Sequence, residues 1–129
     1  MNDVFSSAVV VSTYTRAQAI DDGVLVDVTA TAKEAGFRVP VALTAAVWGD
    51  CVAWDNDSEE ACQDESGRLW DVLTMAGTAA RCNKGDRVSF FVLRIPCRGE
   101  RPETVQLVMH IGPGDQAEPV ITIMQPGED

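Results

Sequence analysis

The apolar positions of this chain change period along its length. From about residue 15 to residue 82 they recur mostly at helical spacing, and from residue 88 onward they run or alternate as strands do. Thr15-Arg16-Ala17-Gln18 fits a capping box, with Thr15 as N-cap and Gln18 reaching back from the third helical position. The short helix it opens is predicted to stop at Asp21-Asp22-Gly23, where Gly23 takes the left-handed conformation. Val24-Leu25-Val26-Asp27-Val28 reads as a strand, and Thr31-Ala32-Lys33-Glu34 repeats the capping-box pattern before Gly36. Pro40 suits the first turn of a further helix. In that helix Leu43, Val47, Cys51 and Trp54 fall at i, i+4, i+8 and i+11 and make one buried stripe.

The clearest helix spans about residues 67–82, with Leu69, Val72, Leu73, Ala76 and Ala80 on one face. Asp64 and Glu65 sit at its positive N-terminal end, Arg81 and Lys84 at its negative C-terminal end, and Asn83 and Gly85 terminate it. Residues 88–95, 104–111 and 119–124 are β-rich. They are separated by Pro96-Cys97-Arg98-Gly99 and Gly112-Pro113-Gly114-Asp115, both of turn composition. In the middle strand Val105, Leu107, Met109 and Ile111 share one face, and Gln106, Val108 and His110 share the other. The pattern predicts an α+β fold. Short helices and one strand lead, two central helices follow, and a three-stranded antiparallel meander packs on the helices.

Length supports a single domain over residues 1–129, and 46% apolar residues suffice for a core without metal or disulfide support. The N-terminus lacks a basic region followed by a sustained apolar run, and no apolar stretch approaches the roughly 20 residues of a membrane span. A cytoplasmic protein is the expectation. The four cysteines, Cys51, Cys62, Cys82 and Cys97, are separated by ten, nineteen and fourteen residues, without the close pair typical of a zinc site. They read as small apolar side chains in a reducing compartment.

Charge changes the picture most. The chain carries twenty acids against ten bases, a net charge of −10. Asp50, Asp55, Asp57, Glu59, Glu60, Asp64, Glu65 and Asp71 crowd one segment around a single base, Arg68. Arg81, Lys84, Arg87, Arg94, Arg98 and Arg101 follow. Such a balance repels nucleic acid and anionic lipid and favours a basic protein surface. Asp64 and Glu65 have a local reason to be acidic at a helix N-terminus; the stretch Asp55-Asn56-Asp57-Ser58-Glu59-Glu60 has none. It begins like a calcium loop, but Glu60 and Ser66 stand where glycine and glutamate are required.

Neither a metal nor a cofactor is expected. His110 is the only imidazole and has apolar neighbours, and no phosphate-cradling glycine loop precedes a helix. Arg16, beside Tyr14 and Thr15 at a helix start, has two readings: an anion grip, or a surface arginine paired with Asp21 or Asp22. Trp48, Trp54 and Trp70 fall in or near the central helices, where an exposed one would mark an interface.

The run that opens Tyr14-Thr15-Arg16-Ala17-Gln18-Ala19-Ile20-Asp21-Asp22-Gly23 resembles a family of small acidic proteins carried on bacterial plasmids and integrative elements. The likeness continues through residues 34–44, Ser66-Gly67-Arg68-Leu69-Trp70, Ile111-Gly112-Pro113-Gly114-Asp115 and residues 119–124. It implies a mobile-element setting, in which small acidic proteins often antagonise host restriction or CRISPR nucleases. The resemblance transfers no catalytic residue.

The leading expectation is therefore a noncatalytic inhibitor whose partner is a basic host protein or nucleoprotein complex. Asp55, Asp57, Glu59, Glu60, Asp64 and Glu65 supply the electrostatics, and Trp54 or Trp70 the anchor. The alternatives are a small enzyme or ligand-binding domain with a site near Tyr14, Arg16 and His110, and a nucleic-acid accessory protein using the basic segment from Arg81 to Arg101.

Overall fold

A computed structural model describes residues 14–54, 64–95 and 101–128. Its elements are α1 (Arg16–Asp21), β1 (Leu25–Asp27), α2 (Thr29–Glu34), β2 (Val41–Thr44), α3 (Ala45–Val47), α4 (Glu65–Cys82), β3 (Arg87–Arg94), β4 (Glu103–Pro113) and β5 (Pro119–Met124). After α3 the chain widens into a π-helical turn over Trp48–Val52. The fold is α+β, built on a five-stranded mixed sheet in the order β1-β2-β5-β4-β3.

The C-terminal strands follow one another antiparallel, as their turns predict, with Arg87 opposite His110 and Met109 opposite Ile123. The meander is only part of the sheet. β2 joins it in parallel, Val41 beside Ile121 and Leu43 beside Ile123, and β1 adds antiparallel beyond β2. This corrects the helix predicted from Pro40. Pro40 precedes a strand, and the helix begins only at Ala45, capped by Thr44 Oγ1, which accepts from Val47 N at 3.2 Å. The reason is burial on both faces: Val41, Ala42 and Leu43 are all at most 1% exposed. Such a strand has no alternation to reveal it. Leu43, Val47 and Cys51 do share the core, but from a strand and a helix in succession.

The first capping box forms: Thr15 Oγ1 accepts from Gln18 N at 2.9 Å, and Gln18 Oε1 accepts from Thr15 N at 2.8 Å. Gly23 then takes φ +81°. The second box does not form. α2 starts at Thr29, two residues before Thr31, because Asp27 Oδ1 accepts from Thr29 N at 3.0 Å and Thr29 Oγ1 accepts from Val41 N at 3.1 Å. These bonds tie α2 to both strands beside it.

One face of the sheet carries the core. Val41, Leu43, Val88, Phe90, Val92, Leu107, Met109, Ile121 and Ile123 meet Leu69, Val72, Leu73 and Ala76 of α4 and Val47, Cys51 and Val52 of the α3 segment. Thr122 belongs to the opposite face, where Arg16 of α1 reaches it.

Candidate functional site

Asp64, Glu65 and Trp54 turn out to assemble around Arg68. Asp64 is the N-cap of α4, its Oδ1 accepting from Gly67 N at 2.6 Å. Glu65 Oε2 accepts from Trp54 N at 3.4 Å, and the Trp54 ring lies 4.9 Å from the Arg68 guanidinium carbon. Arg68 itself is 4% exposed. It donates to the carbonyls of Val52 at 3.1 Å, Ile95 at 2.7 Å and, more distantly, Asp50 at 3.4 Å. The one base within the acidic segment is thus a brace joining the π turn, α4 and the end of β3. A buried guanidinium requires such partners.

The basic segment is also partly absorbed. Arg94 Nη2 lies 3.1 Å from Asp50 Oδ1, and its Nη1 lies 3.0 Å from Glu103 Oε1. Asp55, Asp57, Glu59 and Glu60 lie outside the described residues. Trp70 has a different fate. It is 42% exposed on α4, as is Met75 (43%) on the same helix, and Phe91 (54%) and Leu93 (64%) are exposed on β3. With Asp71, Thr74, Val92 and Thr104 these residues line a groove of about 680 Å³. Apolar side chains of this size clustered on a surface are the usual mark of an interface.

Sequence reasoning reached Trp70 and missed Met75, Phe91 and Leu93. The signal was present in Phe90-Phe91-Val92-Leu93, which is apolar on both parities. A strand with one buried face needs only Val88, Phe90 and Val92, which are the buried ones.

The alternative site is brought together in part. His110 is paired across the ladder with Thr122, and Arg16 Nη1 donates to Thr122 Oγ1 at 2.7 Å. Arg16 Nη2 donates to the Ile121 carbonyl at 2.6 Å, while Tyr14 stays exposed and donates to Asp22 Oδ2 at 3.0 Å. The expected anion position at the start of α1 is filled by the protein: Asp115 Oδ1 accepts from Arg16 N at 2.7 Å, and Oδ2 from Ala17 N at 3.1 Å. Burial lowers the Arg16 pKa, and Asp27, Asp115 and Glu118 oppose that shift. Arg16 is therefore held by the sheet, not by Asp21 or Asp22.

The Cys51 thiol is buried beside Asp50, and desolvation above all pushes its pKa up to about 11, which keeps it a protonated core group at neutral pH. Among the described residues no group of three or more histidine, cysteine or acidic side chains is arranged to hold a metal ion, and no helix is long and apolar enough to cross a membrane.

Residues 1–129 match the model of a family of unknown function, DUF6573, and the chain belongs to that family. Comparisons with curated proteins and with solved structures find no match.

Proposed function

For this member of a family of unknown function, we propose a noncatalytic binding role. In this reading the protein is carried on a mobile element. It seats its acidic side on a basic, nucleic-acid-binding surface of a host defence complex and thereby occupies that surface. The observation that carries the reading is the charge left for a partner to meet. The chain's net charge is −10, and Arg16, Arg68 and Arg94 are turned inward onto carbonyls, a hydroxyl and carboxylates. Asp64, Glu65 and Asp71 meanwhile stay exposed along the first half of α4. A field of one sign speeds association with an oppositely charged surface and is weakened by salt.

The test is an interference assay in bacteria whose restriction or RNA-guided nuclease is active. Expression of the protein should restore transformation by a targeted plasmid. Changing Asp57→Asn, Glu59→Gln and Glu60→Gln together should remove most of that rescue. Affinity for the captured nuclease should fall at least about tenfold between low and physiological salt. Rescue that survives the triple change, or binding indifferent to salt, would refute the acidic-surface reading.

A further inference from the structure

Among the described residues β3 ends the sheet, and its outward side can be identified residue by residue. Ile111 N donates to the Asp86 carbonyl at 2.7 Å, and the register places Arg87 opposite His110. Bonded pairs alternate along an antiparallel ladder, so Val88, Phe90 and Val92 turn their N–H and C=O groups toward β4. Ser89, Phe91 and Leu93 turn theirs outward, and among the described residues no strand pairs with them. The same three residues have exposed side chains. The other edge, β1, is only three residues long. The β3 edge spans eight residues and borders the Trp70, Met75, Phe91 and Leu93 groove. The edge is apolar at Phe91 and Leu93, and an unpaired strand of this length with such side chains is what folds normally cover.

We propose that this edge accepts an extended segment of the partner by strand addition. The segment carries apolar residues at alternate positions and lysine or arginine between them. The unpaired backbone groups of Ser89, Phe91 and Leu93 require an extended chain. Phe91 and Leu93, which project from the sheet face opposite α4, require apolar side chains on that face of the segment, and the alternate positions face α4. Asp71 in the groove wall, with Asp64 and Glu65 exposed on the same helix and Arg68 buried, sets the sign of the intervening charges. A second copy fits worse, because two chains of net charge −10 repel. The proposal rests on the acidic binding role and names its docking segment.

The probe is a capped octapeptide alternating leucine and lysine, titrated into the isotope-labelled full chain. Saturating peptide should slow amide exchange of Ser89, Phe91 and Leu93 by at least about tenfold, and replacing its lysines with glutamates should weaken binding by about as much. Leu93→Lys and Phe91→Ser should each weaken binding about tenfold, with circular dichroism and melting temperature unchanged because both side chains are exposed. Unprotected amides at saturation, or equal binding of a peptide N-methylated on its pairing edge, would overturn strand addition. So would a sedimenting dimer with those amides already protected. Loss of plasmid rescue in the Asp57, Glu59 and Glu60 triple variant with rescue intact in Leu93→Lys would sink this proposal and leave the acidic role standing. The opposite pattern would sink the acidic role, and with it the basic positions of the segment, while leaving strand addition to β3 standing.

Discussion

Replacing Arg68 with methionine keeps an unbranched apolar stem and removes the guanidinium donors. The loss can be estimated from the partners. Two short charge-assisted bonds, to Ile95 O at 2.7 Å and Val52 O at 3.1 Å, contribute about 1.5–3 kcal/mol each. Stacking under Trp54 adds about 1 kcal/mol. Relief from burying a charge offsets part of this, by roughly 1–2 kcal/mol. A net loss of about 3 kcal/mol follows, large against a total stability of about 5–15 kcal/mol. It corresponds to a fall in melting temperature on the order of 10 °C. Arg68→Lys retains the charge but offers one point of donation in place of a fork, and should lose about 2 kcal/mol. Urea titration followed by circular dichroism gives both values and the slope. If both variants unfolded within about 0.5 kcal/mol of the parent with the same slope, Arg68 would not brace the π turn against β3.

Asp50 and Glu103 share Arg94 unequally, so double-mutant cycles should give a coupling of about 1 kcal/mol for Arg94 with Asp50 and a few tenths for Arg94 with Glu103, whose side chain is 62% exposed. Coupling of equal size would contradict the difference in burial. Cys51, held near 11 against an ordinary value of 9.0, stabilises the fold below about pH 9. The unfolded thiol ionises first, so that contribution, at most about 3 kcal/mol, is lost as pH rises toward 11. Cys51→Ala should flatten the alkaline slope, and alkylation mapped by mass spectrometry should find Cys82 labelled in the native protein well before Cys51. Asp115→Ala removes the carboxylate that caps α1 from the β4–β5 turn and should cost about 1–2 kcal/mol, with Asp115→Asn costing about half as much; thermal melts decide.

What the chain disclosed in advance depended on whether each element is set by local chemistry. The capping box of α1 and the apolar stripe of α4 are interactions within a few residues, and each forms where the spacing puts it, while α4 starts at Glu65, two residues ahead of the expected start, with Asp64 as its N-cap. β2 is set by its neighbours instead. Its four residues, flanked by β1 and β5, carry no local strand signature, and Leu43, Val47 and Cys51 fall at a helical interval by passing from strand to helix. Thr31-Ala32-Lys33-Glu34 fails as a cap because Thr29 is claimed first, locally by Asp27 two residues back and at longer range by Val41, which starts the helix early.

The candidate site was legible to the extent that charge was read as surface and apolarity as core. Asp64, Glu65 and Trp54 were drawn from the acidic segment, yet they bind backbone amides or stack on Arg68. Asp50 meets a base 44 residues away, a pairing that only the assembled sheet creates. Phe91 and Leu93 were not singled out, because hydropathy does not say which parity of an edge strand faces outward. The register does, through the single bond from Ile111 to Asp86. The result separates two contributions that the acidic segment alone had merged. In the proposed role, carboxylates on α4 would act at long range and set how fast a basic partner arrives. Trp70, Met75, Phe91 and Leu93, exposed on α4 and β3, would act only on contact and set how long it stays. The proposal therefore predicts that salt changes chiefly the association rate and a groove substitution chiefly the dissociation rate.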